Sequence, residues 1–159
     1  MSDVVIYTDG AAFGNPGPGG YAAVLISGEA RKEISGGFAH TTNNRMELLS
    51  VIMGLEALKR ENCTVNIYTD STYVANAVEK KWVFDWERKN FRKKKNPDLW
   101  RRFLLVYRKH KVKMIWIKGH AGDAMNERCD FLATTAAKAP NLSVDEQYLA
   151  SIQQDSLFE

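Results

Sequence analysis

The sequence is poor in cysteine. Two thiols in 159 residues, Cys63 and Cys129, cannot build a disulfide framework, and both are expected to be buried and reduced. Their spacing to the three histidines matches no zinc pattern. No run of about 18 apolar residues is present, so no membrane span is expected. The opening Met1-Ser2-Asp3 lacks a basic region followed by an apolar segment, which makes a cytoplasmic location the expectation. Internal repeats and low-complexity segments are absent too. Lysine and arginine are missing from the last twenty residues, which hold Asp145, Glu146, Asp155 and Glu159. What remains is a chain 45% hydrophobic, long enough for one domain with a sizeable core.

The overall charge of +3 conceals an asymmetry, because the four acids of the tail leave +7 on residues 1–139. Much of that excess lies between Lys80 and Arg108, where Lys80, Lys81, Arg88, Lys89, Arg92, Lys93, Lys94 and Lys95 crowd together. Such a run is ordinarily a solvated face. Here Trp82, Phe84, Trp86 and Phe91 are interleaved with the bases, a pattern suited to neutralising phosphates beside an apolar platform.

The organising stretch is Val4-Val5-Ile6-Tyr7-Thr8-Asp9-Gly10, read as a strand buried on both faces that ends on a carboxylate. Alone, Asp9 before a glycine reads as a turn residue. A second candidate strand, Val65 to Ser71, repeats Tyr-Thr-Asp at its end and places Asp70 there. Between them, Gly14-Asn15-Pro16-Gly17-Pro18-Gly19-Gly20 reads as a turn, and without a lysine-serine ending it is a poor phosphate loop. Tyr21 to Ile26 and Glu33 to Phe38 read as strands that complete an antiparallel meander.

From Arg45 to Lys59 the stripe Leu48, Ile52, Leu55 and Leu58, widened by Leu49 and Met53, predicts a deeply packed helix capped by Thr42 or Asn43. Glu47 is placed in its first turn, where the helix dipole favours a carboxylate. A helical crossover makes the first and fourth strands parallel, so Asp9 and Asp70 should emerge at one sheet edge. Ser71 can cap a short helix through Val78. A further helix is expected from Asp98 to Lys109, with Leu99, Phe103, Val106 and Tyr107 inward, and a fifth strand from Lys113 to Ile117. The glycine-flanked loop Lys118 to Asp123 carries His120, and a closing helix from Asn126 to Ala139 carries Asp130.

Tyr7-Thr8-Asp9-Gly10, the stretch from Gly14 to Gly20, Thr41-Thr42-Asn43-Asn44-Arg45-Met46-Glu47-Leu48, Thr69-Asp70-Ser71, Lys118-Gly119-His120-Ala121-Gly122 and Asn126-Glu127-Arg128-Cys129-Asp130 together resemble the motifs of the type 1 ribonuclease H family, bacterial form, in that family's order. The resemblance implies an α/β ribonuclease H-like fold: a mixed five-stranded sheet, a three-strand antiparallel meander plus two parallel strands, flanked by helices and bearing a basic helical protrusion. It divides the chain into a catalytic domain, residues 1–139, and an acidic extension, 140–159. The implied activity is endonucleolytic hydrolysis of the RNA strand of RNA/DNA hybrids, leaving 3′-hydroxyl and 5′-phosphate ends.

By the same resemblance Asp9, Glu47, Asp70 and Asp130 hold two magnesium ions, with manganese as a substitute, about 4 Å apart. His120 assists proton transfer or product departure and is not a ligand. Asn15, Asn43, Asn44 and Thr72 lie against the RNA, where side-chain amides suit a 2′-hydroxyl that both donates and accepts. Thr42 and Asn96 take a phosphate of the DNA strand, and Tyr73, Trp82 and Trp86 line a channel for its sugars. A catalytically silent hybrid binder would not need four carboxylates, and an integrase-type transferase would not be expected to carry the Asn-Asn pair or the basic protrusion.

This sequence departs from the family pattern in three places. His40 stands where an arginine is common beside the phosphate pocket, the link from Phe91 to Asn96 is short, and Thr72 replaces a longer side chain. Altered hybrid affinity with retained chemistry is expected. In the tail, Val144, Tyr148, Leu149 and Ile152 suggest a helix packed on the protein. Gln154-Asp155-Ser156-Leu157-Phe158 also resembles the peptide by which bacterial proteins dock on the replication sliding clamp, with Gln154, Leu157 and Phe158 as anchors. A monomer is expected.

Overall fold

A computed structural model describes residues 3–119 and 121–157. Its strands β1 (Val4–Ala12), β2 (Gly17–Ser27), β3 (Ala30–Thr41), β4 (Thr64–Thr69) and β5 (Lys111–Trp116) form one open sheet in the order β3-β2-β1-β4-β5. The first three pair antiparallel as a meander, and β1–β4 and β4–β5 pair parallel. The expected mixed sheet is therefore present. Its helices are α1 (Asn43–Glu56), α2 (Thr72–Glu79), α3 (Trp82–Arg88), α4 (Pro97–Tyr107), α5 (Ala124–Ala137) and α6 (Glu146–Leu157). Helix α1 packs on one face through Leu48, Ile52 and Leu55, fully buried with Ile6, Val65 and Ile67 of the central strands. Cys129 and Ala133 of α5 cover the other face against Ala22 and Val24. Both cysteines are free and buried, and burial pushes the Cys129 thiol up to about 12.

Two expectations are corrected. The glycine- and proline-rich stretch is not a turn throughout, since β2 begins at Gly17. Its glycines serve close packing: a Cβ on Gly20 would lie 2.1 Å from the Ala133 carbonyl oxygen of α5, so only a bare backbone lets that helix settle on the sheet. Glu47 is not in the first turn of α1 either. With Thr42 as N-cap, its hydroxyl accepting from the Arg45 amide, Glu47 lies a turn further in and is held by tertiary contacts.

The tail folds back as α6, and of the expected apolar stripe Tyr148 and Leu149 are half-buried. Val144 is 55% and Ile152 37% exposed. The chain also bridges β3, where the Ala39 amide donates to the Ser143 carbonyl at 2.8 Å, and then buries Asp145. Among the described residues no helix is long and apolar enough to cross a membrane.

Candidate active site

The parallel pairing of β1 with β4 puts Asp9 and Asp70 at the same sheet edge. Glu47 reaches them from α1 because Gly10 has no side chain: a Cβ there would stand 2.3 Å from the Glu47 amide nitrogen. The Gly10 amide then donates to both the Asp9 and the Glu47 carboxylates. Asp9 and Glu47 are buried, Asp70 is half-buried, and one oxygen of each lies within 4.8 Å of the others. Asp130, from α5, lines the same cleft of about 450 Å³, as do Asn43, Asn44, Thr72 and Tyr73. The indole N–H of Trp116 donates to the Asp70 carbonyl at 3.0 Å and fixes the end of β4.

These acids are uncomfortable together. Burial, added to the charges of Asp70 and Asp130, pushes Asp9 up to about 7 even though Glu47 and the Gly10 amide hydrogen-bond to it. Burial and then the charges of Asp9 and Asp70 raise Glu47 well above the usual carboxylate range. An all-oxygen set that repels itself suits a hard divalent cation, which would remove the repulsion and hold the carboxylates ionised.

A family model described as RNase H matches residues 1–138. The chain belongs to the RNase H family. A ribonuclease H of Desulforamulus reducens is 55% identical over 150 residues, covering 91% of this chain and 94% of that one. One of Syntrophus aciditrophicus is 51% identical over 153 residues, covering 93% and 88%. Among solved structures, LC9-RNase H1, a type 1 RNase H with the type 2 active-site motif, superposes with a TM-score of 0.78 at 32% identity, covering 86% of this chain and 72% of that one. LC11-RNase H1, solved in complex with an RNA/DNA hybrid, gives 0.64 at 25% identity, covering 84% and 96%. The protein is a type 1 ribonuclease H enzyme, a nucleic-acid-binding hydrolase.

In this ribonuclease H the sequence-derived positions fall into three groups. Asn15, Asn43, Asn44 and Thr72 are exposed around the carboxylate cleft, and the Asn15 side-chain oxygen Oδ1 accepts from the Asn43 backbone N–H at 3.1 Å, tying the β1–β2 loop to the start of α1. Trp82 and Trp86 lie on α3, within the basic protrusion, with Lys80 over the first ring at 5.2 Å and Lys94 over the second at 5.0 Å. Thr42 caps α1, Tyr73 lines the carboxylate cleft itself, and Asn96 lines a groove with Lys93, Lys94 and Lys95. His120 and Phe158 fall outside the described residues; Gln154 is exposed on α6, whose last residue is Leu157. His40 is exposed, and its ring lies 5.8 Å from that of Tyr148 on α6.

Sequence reasoning missed Arg45. It is 3% exposed and sits between Asp145 and Asp98, bonded to both at 2.8 Å. Thr41 also donates to Asp145, at 2.7 Å. A signal was available: Arg45 lies one turn before Leu48 and Leu49 on the buried stripe, where a charge needs partners. Trp100, fully buried, was also missed.

Proposed function

We propose that this enzyme hydrolyses the RNA strand of RNA/DNA hybrids endonucleolytically, leaving 3′-hydroxyl and 5′-phosphate ends, with two magnesium ions, or manganese in their place, held by Asp9, Glu47, Asp70 and Asp130. The observation that carries this reading is the approach of three carboxylates to within 4.8 Å in a cleft that Asp130 and two asparagines also line. When bound, such a cation pair supplies the charge that makes water a competent nucleophile at neutral pH and stabilises the departing 3′ oxygen.

The chain's own groups do the rest. The Gly10 amide fixes the Asp9 and Glu47 carboxylates in place, and Trp116 fixes the backbone of Asp70. Asn15, Asn43 and Asn44 meet the 2′-hydroxyls, since an amide both donates and accepts as that group does, and Thr72 lies beside the same strand. Thr42 and Asn96 take a phosphate of the DNA strand, and Tyr73, Trp82 and Trp86 receive its sugars. His120 assists proton transfer or product departure. In this reading residues 1–139 carry the chemistry and 140–159 are an extension, in a monomeric cytoplasmic protein. The hybrid bound by LC11-RNase H1 supports this substrate.

The test is incubation with magnesium and four labelled substrates, an RNA/DNA hybrid, duplex DNA, duplex RNA and single-stranded RNA, beside Asp70→Asn. Cutting confined to the RNA of the hybrid and lost in the variant is expected; binding without cutting, or cutting of duplex DNA, overturns the reading. We further propose docking on the sliding clamp through Gln154, Leu157 and Phe158. Because α6 runs to Leu157, an extended docking peptide requires its last turn to unwind. Clamp binding that survives the double change Leu157→Ala, Phe158→Ala excludes this partner.

A further inference from the structure

Among the described residues one buried side-chain nitrogen or oxygen is without a hydrogen-bond partner: Nδ2 of Asn126, a residue 3% exposed. An unpaired buried amide is costly, and in a folded protein such a group calls for a reason. The buried seam of α5 is Asn126, Cys129, Ala133 and Ala137, the row that lies against the sheet through Cys129 and Ala133. The other three pack as small apolar groups. Only Asn126 brings an amide into the seam, and capping of the helix does not account for it. The carboxylate of the N-cap residue Asp123 already accepts the backbone amides of Met125 and Asn126, both at 2.9 Å.

The missing partner is an acceptor, and one stands a turn away. Asp130 follows Asn126 by four residues, so the two share a helix face. Because side chains on a helix lean toward its N-terminus, the Asp130 side chain leans back over the turn that carries Asn126. Asp130 is also the least anchored of the four acids. The Gly10 amide donates to Asp9 and Glu47, and Trp116 holds the backbone of Asp70. The main-chain oxygen of Asp130 accepts from the Thr134 hydroxyl at 2.9 Å, but no donor among the described residues reaches its carboxylate. Asp130 lines the cleft, yet it lies outside the group of three acids whose oxygens gather within 4.8 Å. An unanchored acid and an unpartnered donor thus occupy consecutive turns of α5.

We infer that Asn126 is the positioning residue for the fourth carboxylate: when a cation binds, its Nδ2 donates to one Asp130 oxygen and leaves the other for the metal. This role rests on the two-cation reading above and deepens it. Without a cation, Asp9, Glu47 and Asp70 repel Asp130 and the amide goes unpaired; a cation removes the repulsion and the bond forms. A hydrogen bond to a charged group is among the stronger kinds, so its loss should weaken metal binding about tenfold. The unpaired amide adds nothing to the stability of the metal-free protein. Metal binding and folding should therefore respond differently to its removal.

The experiment measures manganese affinity by electron paramagnetic resonance, and melting in chelator and in saturating magnesium. The full chain is compared with Asn126→Leu, Asn126→Ala, Asp130→Asn and the double variant Asn126→Leu, Asp130→Asn. Asn126→Leu keeps the volume and removes the donor. It should bind manganese about tenfold more weakly, melt no lower than wild type in chelator, and gain about 3–6 °C less from magnesium. Hybrid cleavage by this variant should need about ten times more magnesium for its half-maximal rate. Asn126→Ala should lose the same affinity although its cavity lowers melting throughout, which keeps the test decisive if leucine does not fit. Circular dichroism at the assay temperature confirms that the variants are folded. In the Asp130→Asn background, Asn126→Leu should cost no further affinity. Unchanged metal affinity with lower melting in chelator makes the amide a structural group and overturns the inference while leaving the two-cation reading intact. A tenfold loss that persists in the Asp130→Asn background gives the amide another partner and overturns it too. A wild type that binds no manganese removes the two-cation reading, and the inference with it.

Discussion

Two clusters of carboxylates meet the first turns of α1, one at Arg45 and the other at Glu47, and they have opposite fates. Asp98 and Asp145 close around Arg45, and every donor of the guanidinium is matched to an acceptor. Asp9, Glu47 and Asp70 close around nothing cationic among the described residues, and burial and mutual repulsion drive Asp9 and Glu47 toward their protonated forms. The fold completes one cluster internally and leaves the other to be completed by cations from solution. Functional groups are those whose charge the fold does not balance.

The sharpest break of this contrast is Asp9→Asn. It should lower cleavage at least about 100-fold, because several kcal/mol of transition-state charge stabilisation are lost with the cation site. In chelator the same variant should melt higher than wild type, since a repelling buried charge is gone. Hybrid cleavage and thermal melting measure the two effects; a variant that melts lower in chelator would show that the acids do not strain the fold. Asp145→Ala acts on the balanced cluster and should do the reverse, destabilising by about 3 kcal/mol as expected when a buried ion pair loses one member. Urea denaturation reads this, and cleavage at saturating hybrid should persist while the protein is folded.

The two clusters also differ in how legible they were. Asp9 and Asp70 could be placed because a repeated Tyr-Thr-Asp and a helical crossover between parallel strands leave one arrangement of the strand ends. Glu47 was identified by motif but misplaced along α1, because the cap at Thr42, not the glutamate, sets where the helix starts. The Arg45 cluster could not be assembled in advance. Its partners come from 53 and 100 residues away, and nothing local in the tail marks Asp145 as the residue that buries. An apolar stripe was expected to hold α6; Tyr148 and Leu149 are half-buried as that requires, and the guanidinium of Arg45 adds a polar anchor through Asp145.

A pH profile of melting in chelator separates the clusters. For Asp9, raised from 3.8 to about 7, the folded state holds its proton longer than the unfolded state, so this contribution is full below about pH 4 and is lost as pH rises through about 7. Burial opposes ionisation of Asp98, but its bonds to Arg45 outweigh it and lower its pKa. Its contribution is therefore present above the unfolded carboxylate range and lost as pH falls below about 4. Melting should thus decline on both sides of a maximum. Magnesium should remove only the alkaline decline, worth several degrees given about 2–4 °C per kcal/mol in a domain of this size. A decline that magnesium leaves unchanged would mean that Asp9 and Glu47 are not its source.

The smallest expected effect concerns the difference between directed donors and loose charge. Lys93, Lys94 and Lys95 stand next to Asn96 but form no ion pair among the described residues, and Lys94 lies over the Trp86 ring. A flexible ammonium neutralises whichever phosphate is near, whereas a guanidinium fixed between two carboxylates, as Arg45 is, stays in one place. Lys94→Ala should therefore weaken hybrid binding a fewfold at low salt and reduce the slope of log K against log salt by about one, equally for any base sequence. If Lys94→Ala leaves the salt slope intact, the lysine loop is no source of diffuse attraction, and the division between balanced positioning and loose charge has to be redrawn around Trp86.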